Sequence, residues 1–153
     1  MILPPHAFYG RGPQEGSILF LTDDLSVERN ILNLCYPKSF WLLCTFHLLQ
    51  AFWRWLHDSK HHINKEYRTH IIMKMKKIMY ILSNAEMDAY YRELKEEFYN
   101  SYPKLQRHFK LLWERWCFWA HSFRSGLPMR GNNTNNYIER SFGILKDIIF
   151  SRT

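Results

Sequence analysis

The chain has 153 residues, of which 21 are Lys or Arg and 14 are Asp or Glu, so its formal net charge is +7. Hydrophobic residues make up 46% and charged residues 23%, a balance that argues against disorder, and the length suits one domain. Three cysteines without a CxxC pair argue against a disulfide framework or a Cys-rich zinc site.

The composition also bears on compartment and partners. The chain contains no apolar run of the roughly 18 to 20 residues that a membrane span needs, and its opening MILPP lacks the features of a signal peptide. We therefore expect a reduced, intracellular protein with no membrane contact. The excess of positive charge favours nucleic acid as a partner, although many proteins of this charge bind no polyanion.

The first part of the chain shows the pattern strand, helix, strand. Residues 1–16 are rich in Pro and Gly and are predicted to be loop. Short apolar runs at 18–22 and 40–44 predict strands that are buried on both faces, and a helix is predicted over 26–35 between them. Strands that are connected in this way pair in parallel, so residues 17–57 are predicted to form a βαβ part of an α/β core.

The rest of the chain has the apolar period of helices. Residues 64–121 are predicted to form an all-helical insertion, and residues 130–151 are predicted to contain a last core helix. The apolar residues predicted to share a helix face are Val27, Ile31 and Leu34; Leu48, Leu49, Phe52, Trp55 and Leu56; Ile71, Met75, Ile78 and Leu82; Met87, Tyr90, Tyr91, Leu94 and Phe98; and Leu105, Phe109, Leu112, Trp113 and Trp116.

The predicted strands pose a physical problem. An isolated pair of strands is marginal in water, and strands with two buried faces need neighbours and covering helices. The sequence therefore predicts a truncated α/β domain. Its missing strands would come from a second copy or from a longer parent chain.

Two carboxylates are candidates for catalysis and metal binding. Asp23 follows the first predicted strand, and the carboxyl ends of parallel strands are where α/β folds place reactive groups. Glu139 shares a predicted helix face with Gly143 and Lys146, which suits a metal-bound phosphate. Each has a structural alternative: Asp23 can favour the start of the next helix, and Asn136 with Glu139 has the spacing of a capping box.

Cys44 and His47 form a CxxH motif at the end of the second predicted strand. A lone CxxH is a weak metal signal because zinc needs four ligands, so the sequence favours a buried thiol and a helix-capping imidazole instead. The neighbouring His61 and His62 can be metal ligands or part of a solvated turn.

Basic and aromatic residues are candidates for contacts with nucleic acid. The pairs Trp53 with Trp55 and Trp113 with Trp116 can stack on bases or belong to the core. Around the Asn-rich segment, the residues that can contact DNA, or that can simply form a solvated face, are Arg124, Arg130, Asn133, Asn136, Arg140 and Lys146.

The order of these motifs resembles a known family. A strand that ends in Thr22-Asp23, the segment LLCTFH with Cys44 and His47, a helical stretch, and Glu139 within RGNNTNNYIE follow one another. Over nearly the whole chain this order is similar to the transposase domain of Mutator-like elements, in the form found in animal proteins that often also carry a SWIM zinc finger.

The resemblance implies a fold and a chemistry. It implies an RNase H-like α/β fold with a helical insertion, a nuclear location, and a DDE triad that holds two Mg²⁺ or Mn²⁺ ions for DNA strand cleavage and transfer. Asp23 matches the second carboxylate of the triad and Glu139 the third, so both are expected metal ligands. Cys44 and His47 match a motif that organises the site and its DNA contacts, and no structural zinc is expected.

The chain departs from the family at the first triad Asp, because no Asp precedes Asp23. We therefore expect little catalysis from this chain alone. Two other hypotheses stay open. One is a non-catalytic DNA-binding or protein-interaction module of the same ancestry, and the other is a basic helical bundle whose aromatic residues are only core.

Overall fold

The two predicted strands pair in parallel. In the computed structural model, which describes residues 19–23 and 26–127, strand β1 (Leu19–Thr22) lies beside strand β2 (Phe40–Leu43), and helix α1 (Ser26–Cys35) connects them. The register sets Leu19 opposite Phe40 and Thr22 opposite Leu43. The ladder continues for one more residue, because the Cys44 N–H donates to the Thr22 carbonyl over 2.8 Å. The βαβ prediction is confirmed at this level.

The prediction that both strands are buried on both faces is wrong. Phe40 is exposed and β1 is only half-buried over most of its length, whereas the strand ends at Thr22 and Leu43 are buried. The apolar face of α1 is exposed as well, with Leu34 at 84%. The reason is that a two-stranded sheet offers each strand one neighbour, and among the described elements only the carboxyl ends of the strands are well covered.

Helices form the remainder of the described chain. They are α2 (Thr45–His57), α3 (Lys65–Tyr80), α4 (Asn84–Phe98), α5 (Pro103–Trp113) and the short α6 (His121–Arg124), with 3₁₀ turns at Ser59–His61 and Trp116–Phe118. The coarse prediction of a helix-rich α/β protein is therefore confirmed. No helix in the described ranges is long and apolar enough to cross a membrane.

Local sequence explains where several helices begin and end. Pro103 opens α5, where its missing N–H costs nothing, and Ser83 caps α4 by accepting a 3.4 Å hydrogen bond from the Glu86 N–H. Two predictions fail at helix ends. Leu82 is 68% exposed because α3 ends at Tyr80. Trp116 lies in the 3₁₀ turn after α5 and not on the face of α5, although it still packs against the core.

The core lies among α2, α3, α4 and α5 and is closed by Trp119. Its fully buried side chains include Phe52, Leu56, Ile71, Met75, Ile78, Met79, Leu94, Leu105, Phe109 and Trp119. Aromatic rings pack against one another there, with the centroids of Tyr91 and Trp113 only 3.8 Å apart. The buried indole of Trp119 donates to the Leu112 carbonyl over 2.8 Å, so its polar atom is satisfied. Much of the 17% aromatic content therefore serves as core.

Candidate functional site

The parallel pairing brings three chemically active side chains to one end of the sheet. Asp23 directly follows β1, Cys44 directly follows β2, and His47 lies in the first turn of α2. One potential ligand atom from each residue lies within 4.8 Å of the others. Asp23 Oδ1 and His47 Nδ1 are 2.7 Å apart. The Thr-Asp and CxxH motifs therefore form a single cluster, which we call the strand-end cluster (Asp23, Cys44 and His47).

The strand-end cluster lines a cleft of about 240 Å³. Cys44 is 1% exposed, whereas the side chains of His47 and Asp23 are 23% and 41% exposed. The thiol therefore lies at the inner end of the cleft and the carboxylate at its opening. The residues that complete the lining are Thr22, Leu43, Leu48 and Ala51. A small ion or a water molecule can reach the cluster from solvent.

The donor atoms of the strand-end cluster bear on the metal that the resemblance implies. Mg²⁺ takes oxygen ligands in near-octahedral geometry, and of these three residues Asp23 alone offers a carboxylate. A thiol and an imidazole instead suit zinc and similar transition metals. These three residues by themselves do not make a magnesium site. Glu139, the other predicted metal ligand, lies outside the described residues.

Most of the predicted DNA-binding residues also lie outside the described part of the chain, namely Arg130, Asn133, Asn136, Arg140 and Lys146. Arg124 is described, and its predicted role is wrong. Its side chain is buried and its guanidinium donates to the carbonyl oxygens of Leu43 and Phe118, the latter over 3.0 Å. Burial lowers the pKa of Arg124 to about 10, so it stays charged at neutral pH. It holds the end of β2 rather than a phosphate.

A second site, which the sequence did not predict, lies between α2 and α5. Trp55 is stacked between His61 and His108, with ring centroids 4.0 and 4.4 Å away. Lys60, Lys104, Arg107 and Leu111 line the same open groove, of about 380 Å³, and we call this surface the basic groove. Its residues come from three elements, so their proximity depends on how α5 packs against α2.

The two histidines of the basic groove behave as aromatic surface. Burial, together with the nearby His61, lowers the pKa of His108 to about 4, so His108 is neutral at pH 7. Its ring also stacks on Phe52 at 5.7 Å. The prediction of a solvated turn at His61 and His62 holds for His62, which is exposed, but not for His61, whose ring packs flat against Trp55.

Comparison of the chain with protein-family models, curated proteins and solved structures gave no match.

Proposed function

We propose that this chain is a transposase-type domain of the Mutator-like class with an RNase H-like core, that it acts on DNA in the nucleus, and that it transfers no strands on its own. The observation that supports this most is the 2.7 Å contact between Asp23 and His47. Two of the motifs on which the resemblance rests, Thr22-Asp23 and the CxxH that begins at Cys44, are separate in the sequence, with 44 − 23 = 21 positions between Asp23 and Cys44. The contact unites them at the carboxyl ends of parallel strands, where such folds carry out their chemistry.

The proposed lack of activity follows from the carboxylates. An in-line displacement between two Mg²⁺ or Mn²⁺ ions needs several oxygen ligands that fix both metals. The sequence supplies Asp23 and Glu139 at the matching positions and has no Asp before Asp23. A second copy or a longer parent chain would have to supply the remaining carboxylate.

A second candidate function is a non-catalytic DNA-binding module, and the basic groove favours it. Lys60, Lys104 and Arg107 place positive charge around the Trp55 stack. Cations that track phosphates beside aromatic rings are the usual elements of a surface that binds single strands. A DNA-binding module of this kind would not use Asp23 to contact DNA.

Binding of a short DNA duplex and of a single strand, followed by fluorescence anisotropy at several salt concentrations, tests the proposal. We expect an affinity that falls steeply as salt rises, because each phosphate contact contributes about −0.9 to the logarithmic slope on duplex DNA. Plasmid nicking assays with Mg²⁺ or Mn²⁺ should show no cleavage. Nicking that depends on Asp23, or an absence of DNA binding at low salt, would contradict the proposal.

Two variants separate the candidate functions. If the strand ends face DNA, Asp23→Asn should raise the affinity for DNA by up to about fivefold, because a carboxylate no longer repels phosphate. The control is Asp88→Asn, which removes an exposed carboxylate from α4. If the basic groove binds DNA, the double variant Lys104→Gln/Arg107→Gln should flatten the single-strand salt slope by about 1.4, or about 0.7 for each lost contact. Lys76→Gln/Arg92→Gln removes the same charge from exposed positions elsewhere and should change affinity far less.

A further inference from the structure

We propose that the strand-end cluster is a binding site for a zinc-class divalent ion, held by one oxygen of Asp23, the sulfur of Cys44 and one ring nitrogen of His47. The site carries three different donors from three separate segments of the chain, all within 4.8 Å of one another. The sequence marked the CxxH motif and Asp23 separately and did not place them together. The third donor, Asp23, reaches it through the parallel pairing of β1 and β2.

The donor types select the metal. Zinc binds cysteine sulfur, histidine nitrogen and carboxylate oxygen, whereas Mg²⁺ and Ca²⁺ take oxygen almost exclusively. The mixed set of Asp23, Cys44 and His47 therefore disfavours the magnesium that the family resemblance implies. A thiolate with an imidazole favours zinc, cobalt or copper over manganese.

The geometry lies close to what zinc needs. Zinc–ligand bonds of about 2.0 to 2.3 Å in a tetrahedron place the ligand atoms roughly 3.3 to 3.8 Å apart. When zinc binds, separations between ligand atoms of up to 4.8 Å would shorten by about 1 Å. The distance of 2.7 Å between Asp23 and His47 would lengthen by a similar amount. Both changes are within the reach of side-chain rotation. Binding also releases the Cys44 thiol proton to solvent, so affinity should fall as pH is lowered.

Among the residues that the structure describes, the cleft brings together three protein ligands and no fourth. The three protein ligands occupy one end of a space of about 240 Å³ that is otherwise lined by Thr22, Leu48 and Ala51, among others. Three protein ligands and an open fourth position are typical of zinc sites that bind water or substrate rather than of closed structural sites. We therefore expect water in the fourth position, replaceable by a small anion.

Titration of the reduced chain with Co²⁺, followed by visible and near-ultraviolet absorption, tests this site. We expect one equivalent to bind with a thiolate-to-cobalt charge-transfer band, and Zn²⁺ to displace it while excess Mg²⁺ does not. Cys44→Ser should abolish the charge-transfer band. Asp23→Asn and His47→Gln should weaken binding by more than about 100-fold, beyond the 10- to 100-fold of an outer-shell change.

Matched controls keep the result interpretable. Cys117→Ser and Cys35→Ser remove the other two thiols, and His57→Gln removes an exposed histidine of the same helix as His47. All three should keep the band. Circular dichroism of each metal-free variant establishes that it is folded. Absence of a charge-transfer band in the folded wild-type chain, or a band that survives in Cys44→Ser, would overturn the proposal.

The zinc site and the proposed function share Asp23 but are tested by separate measurements. Cobalt absorption reports on metal binding without DNA, and the DNA affinity is measured in the presence of a chelator as well as with added zinc. A chain that binds DNA but shows no cobalt band contradicts the zinc site alone. A chain with the band but no DNA affinity contradicts the proposed function alone.

Discussion

Arg124 donates a hydrogen bond from its guanidinium to the main-chain carbonyl of Leu43, the last residue of β2, across 81 positions of the sequence. The same guanidinium nitrogen donates to the Phe118 carbonyl over 3.0 Å. One buried cation thus joins α6 and the turn before it to the strand end that precedes Cys44. The helical part of the chain and the strand-end cluster are therefore connected directly.

Replacement of Arg124 should destabilise the protein and loosen the strand end. Arg124→Ala leaves the buried carbonyl of Leu43 and the partly buried carbonyl of Phe118 without their charged donor, and we expect a loss of about 3 kcal/mol in the free energy of unfolding. Arg124→Lys should recover only part of it, because an ammonium lacks the fork of donors. Denaturant unfolding measures both changes. Exchange of the Cys44 N–H, which bonds to the Thr22 carbonyl, should also accelerate. Unchanged stability in Arg124→Ala would contradict this role.

Two leucines of α5 provide a matched test of the core. Leu105 is fully buried, whereas Leu111 on the same helix is 63% exposed. Leu105→Ala should lower the free energy of unfolding by about 2 to 5 kcal/mol, because it removes buried surface and leaves a cavity. Leu111→Ala should change it by less than about 0.5 kcal/mol. Equal effects of the two substitutions in chemical denaturation would show that α5 packs through a different face.

The sequence predicted the elements of this fold well where one local rule decided them. The helix of α1 and the opening of α5 at Pro103 match the structure. Burial was harder to predict, because it depends on what covers an element. The apolar residues of α1, such as Leu34, have the regular spacing of a buried face, yet no described element covers them. Leu82 is exposed because α3 ends at Tyr80, two residues before it.

The candidate site shows the same limit. The sequence marked Asp23 and the CxxH motif separately, each with a structural alternative, because nothing in the spacing placed Asp23 beside His47. The parallel register of the strands made that contact. For Arg124 the sequence suggested a phosphate contact, since a cation near an Asn-rich segment gives no sign that tertiary packing will bury it. The basic groove forms only when α5 packs beside α2, so no pattern within one stretch of sequence could predict it.

Acid should destabilise the protein in part through His108. Its pKa is about 4 in the folded state, against about 6.5 when unfolded, so the unfolded chain binds more protons between these values. Stability from this group is complete above pH 6.5 and is lost as pH falls toward 4. Because the ring is partly exposed and solvent screens its charge, we expect a loss of about 1 to 2 kcal/mol.

The variant His108→Phe isolates this effect, because phenylalanine keeps the stack with Trp55 and Phe52 but cannot take a proton. The free energy of unfolding of this variant should fall less than that of the wild type between pH 7 and pH 4.5. Parallel pH profiles for wild type and His108→Phe would contradict the role of His108 in acid sensitivity. Burial also lowers the pKa of His121 to about 4, so His121 contributes acid sensitivity to both proteins.

The central claim is that the ends of β1 and β2 assemble Asp23, Cys44 and His47 into one metal-binding cluster. Diffraction at the zinc absorption edge, from crystals grown with Zn²⁺, tests it most directly. We expect an anomalous peak about 2.0 to 2.3 Å from a carboxylate oxygen of Asp23, the sulfur of Cys44 and a ring nitrogen of His47. A map with zinc only at surface histidines such as His57 or His62, and none at the strand ends, would contradict it.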